Sequence, residues 1–256
     1  MKEIGKENRT GLCGAVSITL IAAAFFFSAI GQTLLQTEAL TDYPLEIGGK
    51  VLVESEQGIR LNTSLGFLPS FYMQNINAIC VGMDAYDQKT ADLLLIATQS
   101  SLVWRTHVGW RPFRRHGLYG EIGYGLIGLG GAAASAELIS IASGVSIPEN
   151  SSEQDGYTVS STLSMIDFEI GWHWELQRRM TVRLALGYTK TLGASTVITP
   201  ENDVQMPNFI SEPTPREVFA KSAEEYLNDI YTSYVSTPVI SIAVGFNILK
   251  PSRNKP

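Results

Sequence analysis

Between Ile166 and Tyr188 the chain alternates apolar and polar residues with a period of two, and no other feature constrains its fold so tightly. Ile166, Phe168, Ile170, Trp172, Trp174 and Leu176 hold one set of positions, and Asp167, Glu169, Gly171, His173 and Glu175 hold the other. Past Gln177–Met180 the pattern resumes, with Val182, Leu184, Leu186 and Tyr188 against Arg183, Ala185, Gly187 and Thr189. Successive side chains of a strand point to opposite faces, so this stretch is a hairpin with one apolar and one polar face.

The same pattern recurs along the chain. Leu45, Ile47, Val51 and Val53 oppose Glu46, Gly48, Lys50 and Glu54. After Gln57-Gly58, a tight-turn pair, Ile59, Leu61, Thr63, Leu65 and Phe67 oppose Arg60, Asn62, Ser64 and Gly66. Leu102, Trp104, Thr106, Val108 and Trp110 oppose Arg105, His107, Gly109 and Arg111. They are followed by Leu118, Ile122, Tyr124 and Leu126 against Glu121, Gly123 and Gly125. A last strand sets Ile240, Ile242, Val244, Phe246 and Ile248 against Ser241, Ala243, Gly245 and Asn247.

Alternation alone leaves open which face points inward, since a soluble barrel would enclose its apolar set around a greasy ligand. Volume decides. A barrel of about eight strands has an interior just wide enough for side chains to fill. Four tryptophans, several phenylalanines and many leucines do not fit there, whereas glycine, serine, alanine and threonine with occasional charges do. The expected fold is therefore all-β: an antiparallel, up-and-down transmembrane β-barrel of about eight strands, polar inside and lipid-facing outside. A composition of 45% apolar and 17% charged residues suits this, because polar and apolar residues interleave instead of clustering.

The inward set then predicts a lumen network of Glu46, Lys50, Glu54, Arg60, Arg105, His107, Arg111, Glu121, Asp167, Glu169, His173, Glu175 and Arg183. Charges in a narrow lumen must be paired or strongly hydrogen-bonded, so the simplest reading is a salt-bridged plug. On the outer face, Trp110, Trp172, Trp174 and Tyr188 are the expected lipid-interface aromatics.

The N-terminus reads as a targeting segment. Lys2, Lys6 and Arg9 precede an apolar run from Leu12 to Ile30, and Ala29-Ile30-Gly31 supplies small residues at a cleavage spacing. Residues 1–31 are thus expected to be a signal peptide, with the barrel in 32–256. Cys13 opens the apolar run and is not placed for lipid attachment. Cleavage leaves Cys80 alone, so no internal disulfide forms. It also removes three cations and two anions from a chain of net charge −6, and an acidic mature chain is not a nucleic-acid binder.

Connections between the strands fall into two kinds. Those at 55–58, 112–117 and 177–180 are short, and those at 70–100, 132–156 and 199–232 are long. The long ones read as helical insertions at the outer rim. Thr214-Pro215-Arg216-Glu217 is a capping box, and Val218, Phe219, Ala223, Tyr226, Leu227 and Ile230 form a helical stripe. Ala132–Ser143 is expected to be a short helix closed by Gly144. Within 70–100, Tyr72, Ile76 and Ile79, then Leu93, Leu94 and Ile96, suggest two more. Seven strands are clear; an even count requires an eighth in 32–41, where the alternation is poor.

From these strands, turns and loops the chain resembles small bacterial outer-membrane β-barrel proteins as a class. The closing Ser241-Ile242-Ala243-Val244-Gly245-Phe246 looks like the aromatic-bearing assembly signal of that class, with Val244 and Phe246 as its key residues, although Asn247–Pro256 follow it. The resemblance implies outer-membrane lipid as surroundings, barrel-insertion machinery during assembly, and a surface ligand not identified by sequence. The class spans scaffolds, adhesins, channels and lipid-modifying enzymes, so membership assigns no single task. The first expectation is a non-enzymatic structural or surface role with a closed lumen. A narrow channel or carrier for small molecules is the alternative. A lipid-modifying enzyme would need a nucleophile and a base in reach. His107, His173 and His116 have no obvious serine partner, so no catalytic, cofactor or metal residue is assigned.

Overall fold

The computed structural model describes residues 34–84, 86–98, 101–113, 115–136, 139, 140, 144, 156–176, 179–200 and 215–249. Every alternating stretch forms a strand, each antiparallel to its neighbours, and the eight strands close on themselves in chain order. They are β1 (Leu34–Tyr43), β2 (Glu46–Glu54), β3 (Ile59–Phe67), β4 (Ser101–Trp110), β5 (Leu118–Ser135), β6 (Gly156–Glu175), β7 (Met180–Pro200) and β8 (Ser236–Leu249). Among the described residues three helices have both bounds defined: α1 (Ser70–Gly82), α2 (Gln88–Ala97) and α3 (Pro215–Tyr234).

The eighth strand expected in 32–41 is β1, which pairs with β2 on one side and with β8 on the other to shut the barrel. Its alternation was hard to read because leucines stand among its inward residues and threonine and alanine among its outward ones. Leu34, Gln36, Glu38, Leu40 and Asp42 are buried inside, while Thr37, Ala39 and Thr41 look outward.

Short turns at 55–58, 111–117 and 176–179 gather at one end, together with both ends of the described chain. Gly58 and Gly117 adopt positive φ (83° and 73°), which only glycine tolerates freely, so these two positions let the strands reverse tightly. The helices gather at the opposite end, where the β1–β2 turn at 43–45 is the one short connection.

Two local expectations need correction. Ala132–Ser135 is not helical: β5 runs through Ser135, and helix begins only at Ala136. Strand pairing with β6 overrides the helix propensity of three alanines there, because Ala132 to Ser135 all find partners in 156–159. Gly144 has the positive φ of a helix end (70°) and its N–H donates to Ser140 O at 2.8 Å. In α3 the buried stripe is Phe219, Ala220, Ala223, Leu227, Ile230 and Tyr231, whereas Val218 is exposed. The signal-peptide segment 1–31, the capping residue Thr214 and the tail beyond Leu249 lie outside the described residues.

Strand length is uneven round the wall. β1 to β4 have 9 or 10 residues, while β5, β6 and β7 have 18, 20 and 21 and continue past the barrel as a three-stranded sheet. A bulge opposite Ser164 and Met165 inserts one residue of β7. Its inward positions are therefore odd up to Thr191 and even from Thr196 to Ile198.

Candidate functional site

The interior divides into two zones stacked along the barrel axis. In β6 the alternation keeps its phase from end to end, but its chemistry swaps. Glu169 and Asp167 point inward below, and Met165, Leu163, Val159 and Tyr157 point inward above. The outer face swaps the other way, from Trp174, Trp172, Ile170 and Phe168 below to Thr162 and Ser160 above. β4 and β5 change at the same height, Arg105 giving way to Val103 and Gly125 to Ile127.

The lower zone is filled by stacked groups of ion pairs. Near the short turns, Arg111 donates through Nη2 and Nε to Glu54 Oε1 at 2.7 and 3.1 Å. Next, Arg60 Nε lies 3.1 Å from Glu121, whose other oxygen accepts from Asn62 Nδ2 at 2.8 Å. The Arg60 guanidinium also covers the Tyr119 ring at 4.0 Å. Arg183 is held between Glu38 (Nε, 3.0 Å) and Glu169 (Nη1, 2.5 Å), with the Tyr119 hydroxyl donating to Glu169 at 2.5 Å. His107 Nε2 lies 3.4 Å from Asp167, which also accepts from Thr189 at 2.6 Å. At the top of the zone Arg105 pairs with Asp42 and with Glu46 at 2.9 Å. Ser241 and Ser64 donate to those two carboxylates at 2.5 and 2.8 Å. Such side chains lie flat because glycines face them: a methyl at Gly123 would strike the His107 ring, and one at Gly125 the Arg105 stem.

The structure places Glu46, Lys50, Glu54, Arg60, Arg105, His107, Arg111, Glu121, Asp167, Glu169, His173 and Arg183 inside the barrel, all buried. Glu175 differs. Its side chain is 39% exposed at the short-turn mouth, 4.0 Å from Arg111, because β6 ends there. Sequence reading missed Glu38 and Asp42, both on the poorly alternating β1, and Tyr119, an aromatic at an inward position. With them the buried set among the described residues holds seven carboxylates against five lysine and arginine cations. Lys50 Nζ and both ring nitrogens of His173 make no hydrogen bond in this network.

The upper zone is apolar. Val103, Ile127, Leu163 and Met165 from the strands meet Leu68, Tyr72 and Met73, Leu94 of α2, and the α3 stripe in one cluster. Tyr157 and Phe219 pack at 5.6 Å between ring centres. α3 also shields the free edge of β7, where Ile198 N–H donates to Glu224 Oε1 at 2.8 Å, and just past the helix Val235 O accepts from Thr191 Oγ1 at 2.6 Å.

On the outer wall Trp110, Trp172 and Trp174 are exposed close to the short turns, and Phe246, on β8 opposite Met180, lies under the Arg179 guanidinium at 5.9 Å. Tyr188 is also outward but stands further toward the helices. Along β6 the outward apolar run from Ile166 to Trp174 matches the roughly 9–11 residues that a tilted membrane strand needs. Val244 is likewise outward and exposed on the closing strand.

Thr189 donates to the same carboxylate that faces His107, and among the described residues no hydroxyl is hydrogen-bonded to the His107 ring, as an activated nucleophile would be. His116 sits in a turn, edge-on to Phe113. Among the described residues no group of three or more His, Cys, Asp or Glu side chains could hold a metal ion.

No family model matches the sequence, and no curated protein matches it. Among solved structures, similarity is found to CarO of Acinetobacter baumannii, with TM-score 0.34 and 11% identity over 84% of this chain and 97% of that one. It is found also to a major outer membrane protein from Thermus thermophilus, with TM-score 0.41 and 12% identity over 85% of this chain and 99% of that one. The chain resembles small bacterial outer-membrane β-barrels as a class. Its membrane-type wall follows from the barrel itself: a closed sheet, apolar outside and charged within.

Proposed function

We propose that this chain is a non-enzymatic outer-membrane barrel acting as a narrow channel or carrier for small molecules, shut in the described conformation by its helical end. The short turns would face the periplasm and the helices the exterior. Residues 1–31 would direct export, and the closing strand with Val244 and Phe246 would present the assembly signal. The observation that carries the reading is the charged interior. Replacing buried ion pairs with well-packed apolar residues is often neutral or stabilising, so a purely structural barrel has little use for so many. A polar lining that continues to an exposed carboxylate at one mouth, with Lys50 and His173 lacking direct partners, suits a path for polar species.

The second reading is the structural or surface role, and the apolar upper zone favours it, since Val103, Ile127, Leu163 and Met165 bar the lumen. Planar-bilayer recordings separate the two. Phe219→Ala, which loosens the α3 packing, should raise a low wild-type conductance. Equal silence from both proteins, with the barrel intact by heat-modifiable gel migration, leaves the structural role.

A further inference from the structure

The barrel wall is low on one side, and α1 covers the rim there, with Tyr72 and Met73 in the apolar cluster of the upper zone. Its Tyr72 hydroxyl is hydrogen-bonded to Thr41 Oγ1, and the Tyr72 ring meets Tyr43 edge-on at 4.8 Å. Thr41 and Tyr43 alternate with the inward Leu40 and Asp42, so both belong to the outer face of β1. The protein-facing side of α1 is set further by Asn77, which donates to Ala91 O and accepts from Tyr86 Oη, each at 2.7 Å.

The other side of α1 is left uncovered. It exposes Phe71, Ala78 and Ile79 with the uncharged polar Gln74 and Asn75 between them, and leads to Met83, which is 74% exposed. Ser70–Gly82 contains no Asp, Glu, Lys or Arg. α3 provides the contrast within the same molecule: its exposed stripe is Glu217, Lys221, Glu225 and Asp229, one residue in every four, as a helix facing water requires. The exposed face of α1 also continues the apolar belt, for Leu65 and Phe67 are outward and about half exposed at the end of β3. Only Leu68 and Pro69 separate them from α1.

We propose that α1 is an interfacial helix lying in the outer boundary between headgroups and hydrocarbon, against the low β1–β2 wall, with Phe71, Ile79 and Met83 inserted into lipid. An uncharged helix face continuous with a lipid-facing wall gains by leaving water, and the short strands bring it down to the membrane surface. The proposal rests on the membrane reading of the barrel.

The test uses the full chain in phosphatidylcholine bilayers with Cys13→Ser and Cys80→Ser. Single-cysteine variants Phe71→Cys, Ile79→Cys and Met83→Cys carry a small fluorophore, with Ile170→Cys on the belt and Lys221→Cys on α3 as references. Brominated acyl chains should quench the α1 labels several-fold more than the Lys221→Cys label, and aqueous iodide should quench them less. If iodide reaches the α1 labels as freely as Lys221→Cys while Ile170→Cys stays lipid-quenched, the helix faces water, free for a protein partner. The inference then fails and the barrel reading stands. Iodide quenching at Ile170→Cys as well would overturn both.

Discussion

The two halves of the interior are built from the same strands yet follow opposite rules. Around Arg183 and Glu169 the wall is apolar outside and charged inside; around Leu163 and Val159, β6 is polar outside and apolar inside, although Leu192 and Val197 of β7 stay outward. The strand geometry is alike in both, so the difference lies in the solvent. Where lipid surrounds the wall, large apolar groups are best placed outward and polar groups must pair within. Where water surrounds it, the ordinary rule of soluble proteins returns and apolar groups bury against α3. On the membrane reading, the height at which β6 changes from Ile166 to Ser164 on its outer face would be the edge of the membrane.

The hardest way to break this comparison is to remove one partner from the charged half. Arg183→Met should cost about 3–5 kcal/mol by leaving Glu38 and Glu169 buried and uncompensated. Equilibrium unfolding in lipid or detergent measures it, and adding Glu38→Gln and Glu169→Gln should restore much of the loss. A negligible cost for the single variant would mean that the network bears little on the fold. Next in size is the outer face. Ile170→Arg should destabilise the bilayer-inserted barrel by about 2–4 kcal/mol, whereas Thr162→Arg on the same face of the same strand should cost close to nothing. Equal penalties would erase the proposed membrane edge. The smallest effect belongs to the upper half: Glu224→Ala should cost about 1–2 kcal/mol by freeing the Ile198 N–H. It should show as faster exchange of that amide while the amides of β8 stay protected.

Much of this architecture was legible from a single chain because period-two alternation is a direct imprint of the pleat. Twelve of the predicted lumen residues lie inside for that reason, most of them with an outward apolar neighbour on at least one side. β1 escaped because its outward positions hold Thr37, Ala39 and Thr41, next to wall partly covered by α1, where bulky apolar groups are not needed. Glu38 and Asp42 went unseen with it. The stripe of α3 was visible at helical spacing, but Val218 and Tyr231 exchanged roles, since which flank of a stripe is covered depends on what it packs against. The Ala132–Ser135 extension could not be told from helix, because only a neighbouring strand turns three alanines into a sheet.

By itself, then, the sequence determined seven of the eight strands, their inward and outward faces and the division into short and long connections, all of which follow from local periodicity. Tertiary structure alone decided which charge meets which and where Met165 takes over from Asp167 as the inward residue's kind. It also set the phase shift at the β7 bulge and the placement of α1 over the low rim. These depend on strand stagger and on closure of the sheet, which bring together residues far apart in the chain and leave no periodic trace in it.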